Sequence, residues 1–279
     1  MPLMANCCLS KCLNMYSTNL STSLLPFLSK MSPITLGEMD GIRLMNRIDT
    51  KYVCTQAVLE KVLDDARQYY LVLENCGSRI ADYNTLYYDT ETYRMYLDHH
   101  NQRLTRTKVR TRTYLSSDDT YLEIKRKNNR GRTKKKRIPI RTEEFYSFAS
   151  NSSAEEFLKS RTEFSVAELS PSTRTSFSRI TLVNKAKTER LTIDTNLQFE
   201  NLRNGRKSEL GDCVIIELKQ NGWCHSEIKD ILLNRRVHPM RVSKYCIGTA
   251  LTCPQIKKSR FIGKIRTIEK LINNSLLER

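Results

Sequence analysis

The sequence predicts an α+β fold: an eight-stranded antiparallel β-barrel with flanking helices. Three observations predict it. Short segments with strand-like alternation follow one another between residues 47 and 219, separated by turn residues. Glycine is scarce, nine in 279 residues, and a set of about eight strands is best protected by closure, which leaves no free edge. Helical periodicity is confined to short stretches, which would plug the barrel ends or pack outside.

Taken in order, residues 1–38 are rich in Ser, Asn, Thr and Cys without periodicity and read as a disordered segment, with Met31 a candidate alternative start. Residues 39–253 read as the barrel domain and 254–279 as an amphipathic basic helix. Arg47–Val53 alternates polar and apolar residues, as a strand does. Thr55 then has the character of an N-cap, with Val58, Leu59, Val62 and Leu63 on one helical face. The runs Tyr83–Tyr88, Tyr93–Asp98, Thr105–Tyr114, Thr120–Lys127 and Thr133–Ile140 read as a meander of strands. Turn residues separate them at Asp89-Thr90-Glu91, His99–Gln102, Ser116–Asp119 and Asn128–Gly131. A helical interlude is expected at about 142–165, with Phe145, Phe148, Phe157 and Leu158 as its apolar face. Strand texture resumes at Arg174–Leu182, Leu191–Phe199 and Cys213–Lys219. Ser226–Leu233 reads as a helix, and so does the tail from Ile256 to Leu277.

The charge balance narrows the function. Lys and Arg number 47 against 30 Asp and Glu, a net charge of +17, which points to a polyanionic partner without choosing between nucleic acid, an anionic membrane and phosphate compounds. Nine cysteines without a CxxC pair read as reduced thiols in a cytoplasmic protein. Cys7, Cys8 and Cys12 lack a fourth metal ligand nearby. The longest apolar run near the start, Leu24–Leu28, is too short and proline-broken to span a bilayer, so no membrane anchor is expected.

The informative feature is which side chains share a face. Arg106, Lys108, Arg110 and Arg112 lie at i, i+2, i+4 and i+6, which puts all four on one side of a sheet. Glu123, Lys125 and Lys127 share a face on the next strand, and Lys135 and Arg137 on the next. Later strands add Arg179, Arg190 and the pair Glu217/Lys219. Apolar Val109, Ile124, Ile216 and Leu218 alternate with them. If helices cover the apolar face, the charged face lines an interior. Same-face cations about 7 Å apart repel by roughly 2 kcal/mol at an effective dielectric near 20, and a bound polyanion would relieve that strain.

Strand by strand, a solvated basic face on an ordinary sheet explains each row better. Over six strands that explanation weakens, because acids are rare among the cations and recur as Glu-x-Lys pairs. The tract Gly131–Arg137 also resembles a basic targeting signal or RNA contact, but it runs into Ile138-Pro139-Ile140 within the strand series and reads better as a strand. There is no P-loop and no GxGxxG. His99, His100, His225 and His238 lack metal-ligand spacing, and no Ser/His/Asp arrangement can be argued.

Several motifs occur in order: Arg47-x-Asp49-x-Lys51-Tyr52, Lys108-Val109-Arg110-Thr111-Arg112, Glu123-x-Lys125, Lys135-Lys136-Arg137, Phe177-x-Arg179, Arg190 ahead of Ile193-Asp194-Thr195, Glu217-x-Lys219 and Ser243-Lys244-Tyr245. Together they resemble the VTC domain, the polyphosphate polymerase domain of the vacuolar transporter chaperone type, within the triphosphate tunnel metalloenzyme superfamily. The likeness covers about residues 40–250. It implies an eight-stranded tunnel that passes the γ-phosphate of ATP to a growing polyphosphate chain, with Mn²⁺ or Mg²⁺. By that resemblance Arg110, Arg112, Lys125, Arg179 and Arg190 are the expected catalytic cations. Lys51, Lys108, Lys135, Arg137, Ser243 and Lys244 are the expected further phosphate contacts, and Glu217 the metal ligand. ATP and polyphosphate are the implied partners. No nucleic acid is expected, and a membrane-protein partner is compatible with the missing anchor. Two alternatives stay open: a metal-dependent triphosphatase of the same fold, and a non-catalytic polyphosphate or RNA binder. The family usually has Tyr where this chain has Phe177, which implies a looser phosphate contact there. The superfamily's hydrolases open with Glu-x-Glu-x-Lys where this chain reads Arg47-x-Asp49-x-Lys51, and fewer carboxylates favour the polymerase.

Overall fold

The computed structural model describes residues 23–40, 47–222 and 224–277. Eight strands form one antiparallel sheet in the spatial order β2 (Arg47–Thr55), β11 (Cys213–Asn221), β9 (Glu189–Asn201), β8 (Ser170–Asn184), β4 (Ala81–Asp89), β5 (Arg106–Tyr114), β6 (Asp119–Lys127) and β7 (Thr133–Ile140). Short strands β1 (Pro33–Ile34), β3 (Tyr70–Leu73) and β10 (Lys207–Glu209) add to its margins. The sheet curls into a half-barrel and does not close by hydrogen bonding. Among the described residues no ladder joins β7 to β2, which corrects the closed barrel expected from strand count. The free edge of β2 is instead covered by a passing segment: Met240 donates its N–H to the Lys51 carbonyl at 2.7 Å, and Tyr52 bridges to Pro239. The β7 edge carries Lys134, Lys136 and Pro139, residue types that discourage further strand pairing.

Apolar residues sort onto both faces in a way that fixes the curl. On the convex face, Tyr52, Cys54, Ile180, Leu182, Leu191, Ile193, Val214, Ile216 and Leu218 pack under α3 (Gln56–Ala66) and α6 (Glu227–Asn234). Thr55 caps α3, accepting from the Val58 N–H, as the sequence indicates. Further along the same face, Leu86, Tyr88, Val109, Leu122 and Ile124 pack under α5 (Ser152–Lys159) with Phe145, Phe148 and Phe164. The expected long interlude at 142–165 is therefore a single short helix between two 3₁₀ turns, Thr142–Phe145 and Val166–Glu168.

At one end of the concave face a third cluster forms a plug. Tyr87, Phe177, Leu197, Phe199 and Ile215 meet α7 (Lys244–Thr252) and α8 (Ser259–Ile272). A bulge makes this possible. Asn196 adopts a left-handed φ of +52° where the β8–β9 register shifts, so Leu197 and Phe199 turn inward along with Asp194. Tyr93–Asp98, expected as a strand, is instead mostly within α4 (Arg94–His100). Buried Asp89 holds the start of this helix, accepting from the Met95 and Tyr96 N–H groups at 2.8 and 2.9 Å.

The segment read as disordered is partly structured. Of residues 1–38, those from 23 on are described. They include α1 (Leu25–Ser29), and the following α2 spans Leu36–Asp40. Leu24, Leu28 and Met31 join the convex core, and Ile34 and Met39 pack on Val183. Residues 1–22, with Cys7, Cys8 and Cys12, lie outside the described residues. Described cysteines are free thiols, and no described helix is long and apolar enough to cross a membrane.

Candidate functional site

The ladder registers place the predicted cations on one surface. Residues opposed across an antiparallel pair share a face. Lys51 opposes Glu217, which opposes Thr192; Arg190 opposes Lys219, which opposes Asp49; Arg179 opposes Asp194. Across the other half, Arg110 opposes Glu123, which opposes Arg137; Lys108 opposes Lys125, which opposes Lys135; Arg112 opposes Tyr121. All of these point into the concavity. Lys244 and Ser243 reach it from the N-terminal end of α7, where Ser243 is the N-cap and accepts from the Cys246 N–H. Lys108 Nζ donates to Ser243 Oγ at 2.9 Å, tying β5 to the plug. At the opposite end Arg190 donates to the Met39 carbonyl at 3.5 Å. Arg137 lies over the Tyr121 ring at 4.2 Å.

The lumen carboxylates are each gripped by cations. Glu123 accepts from Arg110 Nε at 2.8 Å and Nη2 at 2.5 Å, and from Lys135 Nζ at 3.0 Å. Asp194 accepts from Arg179 Nε at 2.6 Å and Nη2 at 2.9 Å, and also from Lys244. Glu217 lies 3.6 Å from Lys51 Nζ and 3.2 Å from Lys219 Nζ. Burial works to raise all three carboxyls, but the neighbouring cations outweigh it and hold each far below the ordinary carboxylate range. All three stay ionised at neutral pH.

Lys108, Arg112, Lys125 and Arg137 have no carboxylate partner among the described residues. Arg112 is buried and donates to Thr85 Oγ1 at 3.0 Å. Lys125 forms no hydrogen bond or salt bridge among the described residues and sits among the charges of the lumen face. Desolvation lowers Lys125 to about 8; Glu217 opposes the shift, while Lys108, Arg110 and Lys51 add to it. That Glu217 and Lys51, at the other margin of the sheet, act on Lys125 reflects how tightly the sheet curls. Lys244 falls to about 8 for like reasons: desolvation first, opposed by Asp194 and assisted by Arg179 and Lys51. The Tyr87 hydroxyl accepts from Arg110 Nη1 at 3.0 Å. Burial alone would raise this phenol, but Arg110, Lys108 and Arg112 bring it down to about 8.

Aromatic rings space the cations, a feature the sequence reading missed. Phe177 stacks on Tyr83 with centroids 5.2 Å apart. Arg179 lies over both rings at 5.2 and 5.0 Å, Arg112 over both at 5.8 and 5.4 Å, and Lys244 over Phe177 at 4.6 Å. Phe177 thus serves as a cation platform, a role that needs no phenol. The i, i+4 spacing of Tyr83 and Tyr87 on the arginine-facing side was the available signal.

The donor set suits a hard divalent ion sparingly. Glu217 offers one carboxylate to the lumen, and the surrounding lysines disfavour a bare cation. Glu217 would suit a hard divalent ion only where phosphate oxygens complete its shell. His225 does come near carboxylates, 3.2 Å from Glu227 and 3.7 Å from Asp230, but on exposed residues at the start of α6, outside the lumen.

Among solved structures, the chain is similar to a candidate adenylyl cyclase from Hippeastrum described as having a dominant triphosphatase activity. That similarity has 13% identity and a TM-score of 0.47, covering 73% of this chain and 95% of the other. It is also similar to a candidate adenylate cyclase from Vibrio parahaemolyticus, at 11% identity and a TM-score of 0.43, covering 74% and 99%. No curated protein matches. The VTC domain model matches residues 46–253, from the start of β2 to just past α7, and the chain belongs to the VTC-domain family.

Proposed function

We propose that this protein is a polyphosphate polymerase of the VTC type. A terminal oxygen of a polyphosphate chain attacks the γ-phosphorus of ATP. The new P–O bond lengthens the chain by one phosphate, and the bond to the β–γ bridging oxygen breaks to release ADP. The attacking oxygen is already an anion, so no general base is required, and catalysis reduces to alignment and charge neutralisation. Arg110, Arg112, Lys125, Arg179 and Arg190 surround the transferring phosphoryl group. Lys51, Lys108, Lys135, Arg137, Ser243 and Lys244 hold the nucleotide and the chain on either side. A divalent ion on Glu217, Mn²⁺ or Mg²⁺, supplies further charge neutralisation to phosphate oxygens when bound. The cytoplasm, where ATP is available, is the proposed location.

The observation that carries this reading is the gathering of cations from separate strands onto one concave face, with Arg112 and Lys125 left without carboxylates. The test is purified protein with ATP and Mn²⁺, its product resolved on a gel stained for polyphosphate. The expected result is a ladder of chains together with ADP. Arg110→Ala is expected to slow turnover about 10²–10³-fold, the scale of losing one transition-state donor. Free phosphate without a ladder would replace the polymerase by a triphosphatase. No turnover with or without a polyphosphate primer would leave a binding module.

A further inference from the structure

A second cavity, of about 860 Å³, opens where α4, residues 101–105, the start of β5 and residues 162–164 meet. Arg94, Arg103, Arg106, Arg126, Leu104 and Phe164 line it. Its volume is in the range of small-molecule sites, roughly 300–1,000 Å³. Two of the four arginines are neutralised: Arg94 pairs with Glu163 at 3.0 Å and Arg103 with Asp98 at 3.0 Å. The guanidiniums of Arg106 and Arg126 make no hydrogen bond or ion pair among the described residues. Beside them Leu104 is 65% exposed, and the half-exposed Arg94 guanidinium lies 5.2 Å from the centroid of the buried Phe164 ring.

Two free guanidiniums next to an exposed leucine and the half-exposed Arg94 guanidinium match one ligand class best. We infer that this groove binds a nucleoside phosphate, with its phosphates on Arg106 and Arg126 and its base against Leu104 and the Arg94 guanidinium. Guanidiniums grip phosphate oxygens bidentately, and the exposed leucine and the planar Arg94 guanidinium offer a heterocycle contacts that bare phosphate cannot use. The groove spans the start of β5: Arg106 continues the Lys108 row of the lumen face, and Arg126 comes from the other face of the sheet. Arg126 opposes Thr107 and Lys134 on the outer face of β6, while its chain neighbour Lys125 faces inward. The inference stands whether or not the lumen is catalytic.

That adjacency supplies the test. ADP is titrated calorimetrically into the wild-type protein, Arg126→Glu, Leu104→Asp and Lys125→Glu. Arg126→Glu and Leu104→Asp are expected to weaken one class of ADP site at least tenfold, whereas Lys125→Glu leaves that class intact. Leu104 is an exposed loop residue, so its variant keeps the test valid should a charge reversal in β6 disturb folding. Pyrophosphate, which lacks the nucleoside, is expected to bind this class at least tenfold more weakly than ADP. ADP binding that survives both groove variants, or no ADP bound by the wild type at millimolar concentration, would overturn the site. Equal affinity for pyrophosphate would overturn the nucleoside part. Lumen binding is followed separately with tripolyphosphate, so loss of one reading is distinguishable from loss of the other.

Discussion

Asp194 holds two cations on one carboxylate, and its side chain is nearly inaccessible to solvent. Asp194→Asn would leave Arg179 and Lys244 facing each other without a counter-ion. Breaking a buried pair in this way costs about 3 kcal/mol. The free variant is therefore expected to melt several degrees lower than the wild type, and tripolyphosphate to restore more stability to it than to the wild type. Equal tripolyphosphate increments in the two proteins would mean that the bound anion does not reach Arg179 or Lys244. The cation positions were legible in the sequence because strand alternation forces side chains two apart onto one face, as with Lys108, Arg110 and Arg112. Their partners were not legible. Glu123-x-Lys125 looks like a local unit, yet Glu123 bonds Arg110 and Lys135 while Lys125 stands alone. Asp194 reaches Lys244, 50 residues on. Such choices are made by curl and bulge, which no spacing rule encodes.

Helix α7 illustrates the same limit at the scale of elements. Most of its residues are buried, so it lacks the one-sided apolar stripe by which a surface helix is recognised. The sequence reading accordingly took only the motif Ser243-Lys244-Tyr245 at its start. Its seat depends on Gly248. A Cβ there would lie 2.5 Å from Cδ1 and 2.9 Å from Cγ of Phe199. Gly248→Ala is expected to destabilise the fold by about 1–3 kcal/mol, the scale of overpacking a core. By shifting Ser243 and Lys244 it should also weaken polyphosphate binding more than a remote substitution of equal stability cost does. Denaturant midpoints and binding titrations measured on the same samples check both parts. The main strands were legible because their turns are well marked. Tyr93–Asp98 misled because Tyr93, Met95 and Leu97 alternate as in a strand, while the capping carboxylate, Asp89, lies upstream as an unremarkable turn residue. Tyr70–Leu73 was missed because four residues are too few to show a period.

Across the whole molecule, the lumen is a positive potential whose strength depends on pH. Lys125 and Lys244 titrate at about 8, and so does Tyr87. As pH rises through that value the two lysines lose positive charge and the phenol gains negative charge, so every change weakens the field. Affinity for long-chain polyphosphate, whose internal phosphates stay ionised throughout, should fall at least about tenfold between pH 7 and 9.5 at fixed ionic strength. That corresponds to about 1.4 kcal/mol. A bound polyanion favours the charged lysines, so binding near pH 8.5 should also take up protons, seen as a buffer-dependent heat. A flat pH profile would place Lys125 and Lys244 away from the bound chain. Overall architecture, α+β with one curled antiparallel sheet, was legible from strand count and charge pattern. Closure was not, since hydrogen-bond partners at the two margins are decided by curvature. The margin between β2 and β7, which no ladder joins among the described residues, has a mechanical consequence. The β2 side is tacked down by the Pro239–Met240 segment while the β7 side is left to its side chains, so a change in the width of this gap breaks no ladder hydrogen bond, as the mouth of a purse widens without a torn seam.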